Sequence, residues 1–233
     1  DGINWLQIGV DSTAQLIQPQ VDNPRRMGKI VLYGTSIQQG GCASRTGMVP
    51  SAMIQRDFNL ECVNLATSGQ ARMDFYIAQA MASIDDAICY VIDPVPNCTK
   101  DRCDTATYDF IKILRTLRPE VPIIMVEGLM YPYTRHDSYL AEYLPQKNEC
   151  FHNGYELHKK ENPKGLYYMT HDGQTGPEME GTVDGIHLTD YGFRAYADLL
   201  EIKIKEALDK TKVKYGLKPA YNVVRKKTRA QRK

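Results

Sequence analysis

At 233 residues, with a net charge of +1, 42% hydrophobic and 24% charged residues, the chain has the size and composition of a soluble globular protein built on one α/β domain. No stretch approaches the ~18 uninterrupted apolar residues of a membrane-spanning helix, which excludes a membrane span. Nine of the 29 basic residues fall within 212–233, where there is no acid, leaving the rest of the chain with 20 basic against 28 acidic residues; this tail is read as a solvated terminus, and no nucleic-acid partner is expected.

The chain opens on Asp1-Gly2-Ile3-Asn4-Trp5, with no initiating Met and no apolar leader, so it is expected to begin after a processed or trimmed segment. Residues 1–28 form an accessory segment in which 5–10 predict a short strand and the polar stretch through Pro19, Pro24 and Arg26 a linker. Regular patterning starts at Lys29. Short β-branched runs at 29–33, 61–66, 87–93, 122–127 and 166–170 predict strands, and segments of helical spacing near 46–58, 72–84, 104–118, 138–160 and 189–210 predict helices. Several of the strand runs are apolar almost throughout, as for strands covered on both faces. Their alternation with helices predicts a parallel sheet with right-handed crossovers over 29–210, followed by a basic tail at 211–233. Reactive groups in such sheets lie just beyond the carboxyl ends of the strands.

Six cysteines, 42, 62, 89, 98, 103 and 150, are scattered along the chain. Cys98 and Cys103 stand close together but lack a second ligand pair at metal-site spacing, so no metal is expected, and Cys62 and Cys89 read as small core residues.

The strand ends carry Gly34-Thr35-Ser36, then Asn64-Leu65-Ala66-Thr67-Ser68-Gly69, then Asp93-Pro94-Val95-Pro96-Asn97, and Asp184-Gly185-Ile186-His187 precedes the last helix. Each alone is weak, because small polar residues cap helices and fill turns, and a lone histidine is more often structural than catalytic. Together they deliver, in chain order, a serine, a glycine, an asparagine, an aspartate and a histidine to successive turns, the parts of an acyl-transfer site.

On these residues the sequence resembles the SGNH hydrolases, also called GDSL-type esterases and lipases. Ser36 matches the nucleophile of their first block, Gly69 the glycine of the second and Asn97 the asparagine of the third, while Asp184 and His187 match the D-x-x-H of the fifth. Residues 32–41, 64–74 and the Asp-Pro-Val-Pro-Asn run are similar to a bacterial, carbohydrate-linked branch in which a β-sandwich module commonly precedes the hydrolase. The resemblance implies a three-layer α/β/α sandwich with a five-stranded, mainly parallel, flavodoxin-like sheet. It further implies that 1–28 end such a preceding module, that the protein is exported, and that it is an esterase with no cofactor acting on short acyl, chiefly acetyl, esters of carbohydrate. Two positions depart from the pattern: the usual Asp before the nucleophile is Thr35, and the commonly glycine-rich second block carries Ala66. The third block also lacks the commoner Gly-x-Asn-Asp form.

The chemistry matches these residue types. A serine hydroxyl is a poor nucleophile until a base within hydrogen-bond reach takes its proton, the role for His187, with Asp184 three residues earlier to fix the imidazole tautomer. The backbone N–H groups of Ser36 and Gly69 and the side-chain amide of Asn97 are candidate donors to the developing oxyanion.

His136 and His171 lack a carboxylate at the D-x-x-H spacing and rank behind His187, and Asn97-Cys98-Thr99 matches a glycosylation sequon that is read as chance. Tyr131, Tyr133 and Arg135, in the tyrosine-rich stretch 130–143, are either a substrate wall or a cover for the sheet edge. The glycine-bearing segment 171–185 delivers Asp184 and His187. Rival functions are a lipase or lysophospholipase on the same site and a catalytically inactive carbohydrate-binding module; a flavin- or phosphate-binding protein lacks its Gly-rich cradle in the first turn. The expected partner is a small-molecule or glycan ester, and the sequence fixes no oligomeric state.

Overall fold

The computed structural model of the protein describes residues 4–17, 27–213 and 215. Five strands, β1 (Lys29–Gly34), β2 (Glu61–Asn64), β3 (Ala87–Asp93), β4 (Ile123–Val126) and β5 (Leu166–Met169), form one sheet in the order β2-β1-β3-β4-β5. Every pairing is parallel, so the mainly parallel sheet expected from sequence is parallel throughout. Six helices connect and flank the strands: α1 (Ser36–Gln39), α2 (Pro50–Phe58), α3 (Phe75–Ala82), α4 (Lys100–Leu117), α5 (Ser138–Glu161) and α6 (Asp190–Leu208).

Successive side chains of a strand point to opposite faces, and here both faces are apolar. Ile30 and Leu32 of β1 join Phe58 of α2 and Phe193, Leu200 and Ile204 of α6 in one core. Val31 and Tyr33 join Met81 of α3, Phe110 and Leu114 of α4 and Phe151 of α5 in the other. The result is a three-layer α/β/α sandwich in which β1, β3, β4 and β5 are largely buried on both sides, which is why they read as apolar runs rather than as alternation, while the edge strand β2 is half-buried.

Residues 5–10 do not form the expected strand. They make no strand pairing with the described residues, and Trp5, Leu6 and Ile8 are each more than 70% exposed. A strand needs a ladder partner, and the sheet offers this segment none. The linker positions Pro19, Pro24 and Arg26 lie outside the described residues, as does all but a few residues of the basic tail.

The strand order reverses at β1: the chain passes from β1 to β2 on one side and returns to place β3 on the other. The carboxyl ends of β1 and β3 thus flank the switch point where open α/β sheets bind their ligands. Four helices are capped by their own sequence, Thr35 for α1 and Thr99 for α4 beside the switch point, Asp137 for α5 and Thr189 for α6 beyond it, each side chain accepting a backbone N–H of the first turn.

The long segment between β5 and α6 is pinned by backbone contact. Gly181 donates its N–H to the Thr175 carbonyl and accepts from Thr189, and it lies against Gly192 in the first turn of α6. A Cβ on Gly192 would overlap the Gly181 carbonyl oxygen. Gly192→Ala is therefore expected to destabilise the protein by about 1–3 kcal/mol, the usual cost of overpacking, read as a lowered melting temperature.

Candidate active site

Thr35 and Ser36 sit where β1 turns into α1. Thr35 is fully buried, and its Oγ1 accepts the Ile37 N–H at 3.3 Å, so threonine supplies a side-chain cap at the position where the family pattern has Asp. Ser36 opens the helix, where a backbone N–H has no intrahelical acceptor.

The Ser36 Oγ lies 2.9 Å from His187 Nε2, a contact spanning 151 residues of sequence. His187 Nδ1 lies 2.7 Å from Asp184 Oδ2. The other carboxylate oxygen, Oδ1, accepts the backbone N–H groups of Ile186 at 2.9 Å and His187 at 2.7 Å. Asp184 thus folds the short turn that carries the histidine and orients its ring. The imidazole first, and then the two backbone donors, hold the Asp184 carboxyl well below the usual carboxylate range, so it stays ionised. With the carboxylate on Nδ1, the proton of a neutral imidazole belongs on that nitrogen, leaving Nε2 to accept from the serine hydroxyl.

Two further bonds tie down the turns that carry Gly69 and Asn97. Ser68 donates its N–H to Gln39 Oε1 of α1 at 3.0 Å, tying the turn after β2 to the nucleophile helix. Asn97 Oδ1 accepts the Ala71 N–H at 3.3 Å, which commits the oxygen of the amide and leaves its NH₂ as a donor. Gly69 has φ +70, a left-handed conformation that glycine adopts without strain, and its N–H has no acceptor among the described residues.

The rival histidines are otherwise engaged. His171 presents Nδ1 to Glu127 Oε2 at 2.7 Å and also donates its backbone N–H to that oxygen, while His136 is exposed. The hydrogen bond to Glu127 raises the His171 pKa against the opposing effect of burial. For Glu127, burial pushes the pKa up, but the bonds from His171 outweigh it and the net shift is downward. Gln174 Nε2 reaches the carbonyl oxygens of Glu127 and Thr170. These three residues anchor the root of the segment that delivers Asp184 and His187. Sequence reasoning missed all of them in this role, because the anchor joins positions more than forty residues apart.

The tyrosine-rich stretch is divided. Tyr131 is buried in the core and stacks on Tyr133 with centroids 5.5 Å apart, so its ring serves packing. Tyr133 is half-buried against Gly185, between Asp184 and His187, and the exposed Arg135 reaches the Met179 sulfur. Tyr139 is 67% exposed and stacks on Tyr143, whose hydroxyl takes the Lys100 N–H three residues beyond Asn97. A cleft of about 670 Å³ lined by Pro122, Gly165, Leu166 and Lys210 opens at the opposite end of the sheet, away from these residues.

Residues 27–205 match the family described as GDSL-like Lipase/Acylhydrolase. A Bacteroides ovatus protein described as a GDSL-like lipase is 34% identical over 81% of this chain and 55% of its own, with a TM-score of 0.74. The salicylyl-acyltransferase SsfX3 of a tetracycline biosynthetic pathway is 18% identical over 85% of this chain and 59% of its own, with a TM-score of 0.68. A family two carbohydrate esterase of Clostridium thermocellum, solved with cellohexaose, is 17% identical over 78% of this chain and 65% of its own, with a TM-score of 0.58. The chain therefore spans under two thirds of the length of each of these three. No curated protein matches it in sequence.

The geometry leads to a labelling prediction. A serine-directed phosphonate is expected to modify Ser36, mapped by peptide mass, and the label should vanish in His187→Ala; modification at Ser44 or Ser68 instead would move the nucleophile elsewhere.

Proposed function

The chain belongs to the GDSL-like lipase/acylhydrolase family of ester hydrolases, and from that premise we propose that it is a serine esterase cleaving short acyl, chiefly acetyl, esters of carbohydrate. The observation that carries the proposal is the continuous path of hydrogen bonds from Ser36 Oγ through His187 to Asp184, at 2.9 and 2.7 Å. His187 Nε2 takes the Ser36 proton as Oγ attacks the ester carbonyl, and Asp184 stabilises the imidazolium that results. The Ser36 and Gly69 N–H groups and the Asn97 amide receive the oxyanion. His187 then returns the proton to the departing alcohol, leaving an acyl-enzyme that water releases by the same steps in reverse order. No part of this sequence calls on a cofactor.

The glycan part of the reading draws on the exposed Tyr139 ring, stacked on Tyr143 beside the Asn97 turn, since sugars pack their apolar faces on aromatic rings that keep a polar tip in water. It also draws on the carbohydrate esterase among the similar structures. In this reading residues 29–210 are the hydrolase unit, 1–28 end a preceding module, and the protein acts after export. A lipase reading of the same site draws on Phe75 and Tyr76, exposed at the start of α3 five residues beyond the Gly69 turn.

Turnover of chromogenic acetate, butyrate and octanoate esters separates the two. Rates falling steeply with chain length are expected for the deacetylase, and rising rates would favour the lipase. Ser36→Ala should abolish turnover while leaving the melting temperature unchanged. Asn97→Ala should lower kcat by about 10²–10³ with KM little altered, the loss seen when one oxyanion donor is removed. A destabilised Asn97→Ala with normal kcat per titrated site would take the amide out of the oxyanion hole.

A further inference from the structure

Beneath the nucleophile turn lies a set of buried polar groups that the reaction above does not use. Asp93 ends β3 and is 2% exposed. It stands in register with Gly34, the last residue of β1, so substituents of the two positions share one face of the sheet. Gly34 has no side chain, and Gln38 of α1 folds into the room this leaves: a Cβ on Gly34 would lie 2.6 Å from Gln38 Cβ. Gln38, fully buried, therefore sits over β1 beside Asp93, only two residues from Ser36.

The hydrogen bonding is incomplete in a way that pairs these two residues. Asp93 Oδ2 accepts the Tyr196 hydroxyl of α6 at 2.6 Å, whereas Asp93 Oδ1 and both amide atoms of Gln38 have no partner among the described residues. Buried polar groups left unmatched are costly, and these two are neighbours: the Cβ position of Gly34 lies 2.6 Å from Gln38 Cβ and 3.0 Å from the Asp93 carbonyl oxygen. An amide can meet either form of the acid, donating from Nε2 to a carboxylate or accepting at Oε1 from a carboxyl.

We propose that Asp93 is a positioning residue for the esterase reaction, linking α6 through Tyr196 to the nucleophile helix through Gln38 and so fixing where Ser36 stands relative to His187. This rests on the esterase reading above. The link also reaches the other half of the site. Tyr131 belongs to the same core as Tyr196, it stacks on Tyr133, and Tyr133 packs against Gly185 between Asp184 and His187. Asp93 thus stands where the support of the nucleophile and the support of the base meet.

Among the described residues, Tyr196 of α6 bonds Asp93, Gln38 of α1 lies beside it, Tyr131 shares the core of Tyr196, and no cation forms an ion pair with it. Burial pushes the carboxyl up to about 7, against the smaller opposing effect of the Tyr196 bond. Between the ordinary carboxylate range and about 7, the folded protein holds a proton that the unfolded chain has released, so this residue makes stability fall as pH rises through that window.

The test uses Asp93→Asn, which keeps shape and hydrogen-bonding capacity but fixes the charge, and Tyr196→Phe, which removes only the hydroxyl. With an acetate ester, Asp93→Asn should lower kcat per phosphonate-titrated site by about 10-fold to 10²-fold, the scale of a misplaced reacting group, with KM within about twofold. The rate of phosphonate labelling at Ser36 should fall in parallel. Between the ordinary carboxylate range and about 7, the melting temperature of Asp93→Asn should fall less steeply with rising pH than that of the wild type, Glu201 supplying a decline in the same window in both proteins. Tyr196→Phe should shift kcat in the same direction, and it decides the matter if Asp93→Asn does not fold. Wild-type titrated kcat and labelling rate in a folded variant would overturn the proposal, since a merely structural role lowers the melting temperature and the active fraction but not the rate per site. Wild-type protein that hydrolyses no ester would instead overturn the esterase reading; the link to Asp93 would then stand or fall on the labelling rate and on the pH dependence of melting.

Discussion

The pairing of β1 with β3 is the constraint from which the rest follows. Six residues of β1, from Lys29 to Gly34, run in parallel register beside β3, and this central pair is covered on both faces by helices. Burial on both sides leaves the strands no freedom to slip, because a shift of one residue would exchange every side chain between the two cores. Their ends are therefore fixed relative to each other, and the turns that leave those ends inherit the precision. Ser36 departs from one and Asn97 from the other.

His187 arrives by a different route, on the long segment between β5 and α6, which adds no strand to the sheet and carries an isolated antiparallel bridge between Thr182 and Leu188. Its order is assembled from separate contacts: Glu127 and Gln174 at its root, the Gly181–Gly192 approach in its middle, and the Asp184 turn at its tip. Asp184 has two duties there, since one oxygen shapes the backbone and the other orients the ring. Preorganisation of this kind removes from the reaction itself the cost of aligning the dipoles.

Much of this could be read in the sequence, and the parts that could not share a cause. The runs of β1, β3, β4 and β5 stand out because both-sided burial writes itself as largely apolar runs, whereas the half-buried edge strand β2 carries Glu61 and Asn64. Ser36 stands out because strand ends are where reactive groups sit in parallel sheets, and His187 because of the D-x-x-H spacing that joins it to Asp184. Helix α1 was not legible, since four residues are too few to show a period. Residues 5–10 have the composition of a strand, but a strand is defined by its partner, which composition does not supply. Glu127 and Asp93 look like ordinary strand termini until residues from other elements, His171 and Tyr196, are seen against them. Tyr131 and Tyr139 belong to one aromatic stretch, and only the packing shows that the first is inside and the second outside.

The threonine cap of α1 carries a consequence for the charge around the nucleophile. A carboxylate beside the serine would cap the helix equally well, but it would put a fixed negative charge next to a carbonyl oxygen that becomes negative during attack. Thr35 accepts the same backbone N–H while remaining neutral. In the proposed reaction the developing oxyanion would meet no like charge from this position. The helix start is stabilised without a negative charge being placed beside Ser36.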